Sequence, residues 1–222
     1  MECTDADYYS DRLIEKLKSL DVKHKLDFGL IHKAIDWAKK YHGDQLRKSG
    51  EPFYTHPLEV AYIICDYDLK TDVIVTSILH DIIEDTEVTL EMILATFGAR
   101  IAEMVDRLTR DRPDGTKLSV AEVLNNAYQK KDKEVLLIKL IDRLHNITTL
   151  DALPFEKQLE ETRDTLDLFL VFSAYLEKTT LEKELAILCH NIVSTEKEKR
   201  QIQSLYSFLE ESDDSYQLPS LD

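Results

Sequence analysis

Apolar residues recur at helical spacing along most of the chain, and few stretches alternate in the two-residue rhythm of a strand. Leu13, Leu17 and Leu20 mark an amphipathic helix over residues 8–20. Ile31, Ala34, Ile35, Ala38 and Tyr41 mark the next, with Gly43 placed to cap its C-terminus. Two antiparallel helices are predicted over 58–67 and 71–83, joined at 68–70, and two shorter ones over 90–96 and 99–108 on either side of Phe97-Gly98. Ser119, with Glu122 three residues on, reads as a capping box opening another helix. Residues 134–150 form the densest apolar helix, 155–178 and 181–192 two further amphipathic ones, and 195–210 a charged one before an acidic tail at 211–222, predicted to be disordered. Five glycines in 222 residues are too few for the turns of a sheet protein. The pattern therefore predicts an all-α helical bundle, a single domain with a C-terminal helical extension.

Charge narrows the partners. A net charge of -15 argues against a broad basic face for nucleic acid or an acidic membrane surface, since counterion release needs clustered Lys and Arg. No apolar run approaches membrane length, and the N-terminus lacks the apolar core of a signal peptide. Cys3, Cys65 and Cys189 lie far apart, which suggests neither a disulfide framework nor a zinc knuckle and fits a cytoplasmic setting. A homo-oligomer is compatible with the sequence, which does not fix the oligomeric state.

The chemistry concentrates in Ile78–Thr86, reading Ile-Leu-His-Asp-Ile-Ile-Glu-Asp-Thr. On a continuous helix His80 would stack with Glu84 and Asp81 with Asp85, gathering an imidazole and three carboxylates into one arc. Carboxylates buried together repel and lose hydration, at a cost of several kcal/mol unless a cation neutralises them. One imidazole and one carboxylate are too few ligands for a divalent ion. His56, just ahead of Pro57, and Asp142, inside a strongly apolar segment, are the visible suppliers of the rest.

This order of ligands resembles that of the HD phosphohydrolases. Within them, Arg47–Pro57, Leu79–Thr86 and Leu137–Asn146 are similar to the three signature segments of the hydrolase half of RelA/SpoT homologues. The resemblance covers residues 28–189, leaving 1–27 as an N-terminal helical extension and 190–222 as a C-terminal helix and tail. Too few residues follow Leu188 for the synthetase domain that succeeds the hydrolase in larger members, so a stand-alone small alarmone hydrolase is expected, as in the metazoan SpoT homologues.

The resemblance implies an HD-domain fold and a metal held by His56, His80, Asp81 and Asp142. Manganese suits this thiolate-free set, with zinc, iron or magnesium left open by ligand type. It assigns Glu84 and Asp85 to orienting a water and taking its proton. The implied reaction is 3′-pyrophosphate hydrolysis of ppGpp or pppGpp to GDP or GTP, as in the stringent response. Alternatives are a (p)ppApp hydrolase, an NADPH 2′-phosphatase, or an alarmone-binding module without turnover. Arg47, Lys48 and Ser49 fall on a basic loop implied to meet the purine and its phosphates. Asn146 and Thr149 share a helix face with Asp142 and are implied in base recognition. Lys117, in the turn-rich loop 110–117, is placed either to close over a phosphate tail or to form a soluble tip. Arg163 is placed either to reach a distal phosphate or to pair with a neighbouring acid. Two positions depart from the family pattern: Thr148 stands where Arg is frequent, and Phe169 where Tyr is frequent.

Overall fold

The computed structural model describes residues 5–193. The cysteine at position 3, the charged helix read over 195–210 and the acidic tail lie outside the described residues. Helices follow one another as α1 (Asp5–Leu20), α2 (Phe28–His42), α3 (Thr55–Ile64), α4 (Thr71–Leu79), α5 (Ile82–Asp85), α6 (Leu90–Phe97), α7 (Ala99–Leu108), α8 (Val120–Gln129), α9 (Lys133–Thr148), α10 (Phe155–Asp164), α11 (Leu170–Tyr175) and α12 (Thr179–Ile192). Among the described residues no strand forms; two isolated antiparallel bridges, Leu46 with Pro52 and Asp111 with Lys117, pin the two long loops.

α4 is the axis of the bundle. Its residues from Val73 to Leu79 are all buried, and it packs on α2, α3, α7 and α9. Complete burial explains why this segment reads apolar all round, rather than on one stripe. The helix starts are fixed locally: Asp27 accepts from the Leu30 amide, Asp132 from the Val135 amide, and Ser119 and Glu122 form the expected capping box. Gly43 closes α2 at a positive φ of 49°, its amide donating to Lys39. α1 joins the same core: Leu13 and Leu17 are fully buried in the main cluster. Arg12 donates to Glu59 at 2.8 Å and Lys16 to the Tyr62 carbonyl at 2.7 Å, fastening α1 along α3.

Two predicted helices are interrupted. The one read over 71–83 ends at Leu79 and restarts at Ile82, so the single polar arc running from His80 to Asp85 does not form. The Ser77 carbonyl, which would accept the Asp81 amide in an unbroken helix, instead receives His80 Nδ1–H at 2.8 Å. Asp81 turns the chain at φ -104°, ψ -4°. The long helix read over 155–178 contains a π turn at Thr165–Phe169, with Phe169 fully buried beneath the Arg143 guanidinium, 4.5 Å from its ring centre. Periodicity alone shows neither break, because apolar spacing continues through both.

Candidate metal centre and cleft

Three chain segments deliver one cluster. His56 sits in the first turn of α3, whose start is set by Thr55 donating to the Pro52 carbonyl at 2.8 Å. His80 and Asp81 form the turn between α4 and α5, and Asp142 projects from the middle of α9. Each offers a ligand atom, and these atoms lie within 4.8 Å of one another. His56 Nε2 is 3.2 Å from Asp142 Oδ1 and 3.5 Å from Asp81 Oδ2; His80 Nε2 is 3.0 Å from Asp81 Oδ2 and 3.6 Å from Asp142 Oδ1. Atoms sharing one small divalent ion at about 2.1 Å lie about 3.0–4.2 Å apart, so the set fits such an ion. The buried His80 Nε2 makes no regular hydrogen bond and is turned to the Asp81 and Asp142 carboxylates, as for a nitrogen that shares a cation with them.

Electrostatics agree. Burial opposes the charge on His80, yet Asp81 and Asp142 outweigh it and raise the imidazole from 6.5 to about 10. Burial also opposes ionisation of Asp142, but Lys139, His56 and His80 hold it well below its ordinary value. The protein without metal thus keeps a proton where a cation would sit. The Cys65 and Cys189 thiols, both buried and pushed up to about 12 by that burial, are outside this cluster.

Glu84 and Asp85 follow on α5. Glu84 Oε1 accepts the Arg110 amide at 2.7 Å, and Lys117 Nζ lies 3.4 Å from its other oxygen and 2.9 Å from Asp111. The Asp85 carbonyl accepts Gln45 Nε2 at 2.7 Å, while Gln45 Oε1 faces His42 Nδ1 at 3.0 Å. The Asp85 carboxylate, open on one side to solvent, is raised from 3.8 to about 6 by lost hydration and then by Asp81 and Glu84.

A cleft of about 480 Å³ opens beside the cluster, lined by Arg47, Lys48 and Ser49 of the loop after α2, by Asp142 and Asn146 of α9 and by Thr149 just after it. Arg47 is held by its loop: its amide donates to Glu51, and the Gly50 amide donates back to its carbonyl, each at 2.9 Å, with Gly50 at φ 91°. Lys117, half exposed, does not line the cleft and pairs instead with Glu84 and Asp111. Arg163 is exposed on α10 and does not line the cleft; Glu161 of the same helix does, paired with Arg143 at 2.5 Å. Thr148 is also exposed.

Sequence reasoning missed Lys139, whose ammonium donates to Asp142 Oδ2 at 2.8 Å. Burial works against that charge, and Asp142 and Asp81 outweigh it. Extending the Asp142, Asn146, Thr149 stripe back one turn would have found it. His145 was missed as well, although it lies inside a quoted segment. Its Nδ1 is 2.8 Å from His56 Nδ1 and 3.1 Å from Arg47 Nη1.

Comparison with known proteins adds three findings. Residues 34–176 match the HD domain. A probable guanosine-3′,5′-bis(diphosphate) 3′-pyrophosphohydrolase of Mycoplasma pneumoniae is 33% identical over 175 residues, covering 74% of this chain and 24% of that protein. A GTP pyrophosphokinase of Myxococcus xanthus is 38% identical over 175 residues, covering 75% and 23%. The chain thus spans about a quarter of the length of these curated relatives. A solved structure described as a metazoan ortholog of SpoT that hydrolyzes ppGpp and plays a role in starvation responses shares the fold. Its TM-score is 0.60 at 22% identity, covering 75% of this chain and 97% of that one.

Proposed function

This chain belongs to the HD-domain family, and we propose that it is a metal-dependent hydrolase that removes pyrophosphate from the 3′ position of ppGpp and pppGpp. The observation that carries this reading is the convergence of His56, His80, Asp81 and Asp142 beside two further carboxylates, with Asp142 also lining a cationic cleft.

A divalent ion at that cluster, manganese in our reading, would acidify a water and offset charge building at phosphorus. The chain's own groups do the rest. Arg47 and Lys48 take the nucleotide from the loop side, Arg47 offering a planar guanidinium to the base. Asn146 and Thr149, bonded directly to Arg47, line the same cleft. Glu84, held by the Arg110 amide, orients the attacking water. Asp85, raised to about 6, is matched to taking the water's proton near neutrality. The water oxygen bonds to the phosphorus attached to O3′, that P–O3′ bond breaks, and O3′ leaves with the electron pair and is protonated. The products are GDP or GTP and pyrophosphate. Lys117, beside Glu84, would meet the polyphosphate if the loop that carries it approached the substrate. Arg163, remote from the cleft, has no part in this scheme.

No helix among the described residues is long and apolar enough to cross a membrane, and a cytoplasmic site of action fits this substrate. Purified protein given Mn²⁺ and ppGpp should release pyrophosphate. Folded, metal-replete protein that binds ppGpp without turnover would make it a binding module instead, and preferential turnover of ppApp or NADPH would reassign the substrate.

A further inference from the structure

Arg47 carries a fork of N–H donors and no acceptor, and the structure aims both ends of it at α9. Nη1 faces His145 Nδ1 at 3.1 Å, while Nη2 donates to Asn146 Oδ1 at 2.9 Å and to Thr149 Oγ1 at 3.2 Å. Two of these contacts continue into the metal centre. His145 Nδ1 faces His56 Nδ1 at 2.8 Å, and Asn146 Nδ2 donates to Asp142 Oδ1 at 2.7 Å.

Counting protons fixes the network. A guanidinium only donates, so His145 Nδ1 presents its single lone pair, shared by Arg47 and His56, and its ring proton sits on Nε2. The two Nδ1 atoms need one proton between them, which must then belong to His56. Nε2 is then the His56 nitrogen left to take a cation; without one it faces Asp142 Oδ1 at 3.2 Å, as a donor would. The Asn146 amide is fixed in the same way: its oxygen accepts from Arg47, so its nitrogen is the atom turned to Asp142. His80 reaches the matching tautomer through the backbone, by donating from Nδ1 to the Ser77 carbonyl. The two imidazole ligands are therefore set differently, one by its own helix and one by a loop cation.

We infer that Arg47, acting through His145 and Asn146, is a positioning residue for the metal centre: it holds His56 in the tautomer that ligates through Nε2 and orients Asp142. The loop that meets the nucleotide is thereby coupled to cation binding, and such coupling is reciprocal. The inference rests on the proposed function only for the identity of that nucleotide.

Side-chain ¹⁵N spectra of the metal-free protein report whether His56 Nδ1 carries a proton, and calorimetry gives the Mn²⁺ affinity. Wild type should carry the proton on Nδ1. His145→Leu and Arg47→Ala should each mix the tautomers and weaken Mn²⁺ binding, by about 10–100-fold for His145→Leu. His145→Gln, whose amide oxygen accepts the same proton, should restore most of the affinity, and the two losses should not add. A His56 Nδ1 without a proton in the wild type, or wild-type Mn²⁺ affinity in both variants, would overturn the inference. Arg47→Ala, on a loop, decides the matter if His145→Leu fails to fold. Weakened cation binding in a protein that never turns over ppGpp would keep the coupling and remove the proposed function; ppGpp turnover with unchanged affinity in both variants would do the reverse.

Discussion

Asp85 is ionised at neutral pH against the preference of its surroundings, which lift its carboxyl from 3.8 to about 6. Between those values the unfolded chain gives up its proton before the native protein does, so stability falls as pH rises through the interval. Metal-free Asp85→Asn should therefore exceed wild type in denaturant midpoint above pH 6 and match it below the ordinary carboxylate range, while turnover drops about 10²–10⁴-fold. A general base must be unprotonated, so wild-type kcat should fall as pH drops through the Asp85 pKa, which a bound cation moves to or below about 6. His80 makes the opposite trade. It holds a proton up to about 10 without metal, and ligation displaces it. Mn²⁺ affinity should then rise about tenfold per pH unit across the neutral range, with close to one proton released in calorimetry run in buffers of different ionisation enthalpy. Residue type draws the eye to the four candidate ligands, because an acid in an apolar helix or an imidazole beside carboxylates needs a partner, and the family resemblance joins them into one set. His145 is not legible in this way, because its meaning depends on groups 89 and 98 positions away.

At the scale of elements, the helix break at His80-Asp81 separates the ligands from the acids that follow. It leaves α5 as a turn of its own, with Glu84 tied to the loop after α7. Periodicity finds α2, α7 and α9 but passes through this break and through the π turn at Thr165–Phe169, since both are made by side chains bonding to backbone and by tertiary packing. α1, read from sequence as an outlying helix, supports α3 directly, and α3 carries His56. Leu17→Ala, deleting a fully buried side chain, should cost about 2–5 kcal/mol in chemical denaturation. The activity of the folded fraction should hardly change, because no α1 residue lines the cleft.

At the scale of the whole molecule, a charge of -15 opposes the approach of a polyanionic nucleotide, and the cations lining the cleft reverse that only at short range. Raising salt from about 10 mM to about 150 mM shortens the Debye length from about 30 to about 8 Å, which screens the distant repulsion before the local attraction. kcat/KM for ppGpp should accordingly climb over that interval and decline at higher salt. A steady decline from the lowest salt would show that the cleft governs approach at all distances. The all-helical class is legible in the sequence because apolar spacing is a whole-chain property. How the helices close on one another is not, because contacts such as that of α1 with α3 join segments that no local pattern links.

His56, the His80-Asp81 turn and Asp142 belong to stretches of chain that have no reason to meet once the protein unfolds. An ion seated among them acts as a reversible staple across the polypeptide, worth about 2.7 kcal/mol at a hundredfold excess over its Kd. Survival under trypsin should lengthen with added Mn²⁺ and shorten with a chelator. Starved of the ion, such a molecule would be digested as well as silenced, so its abundance would follow the ion's supply.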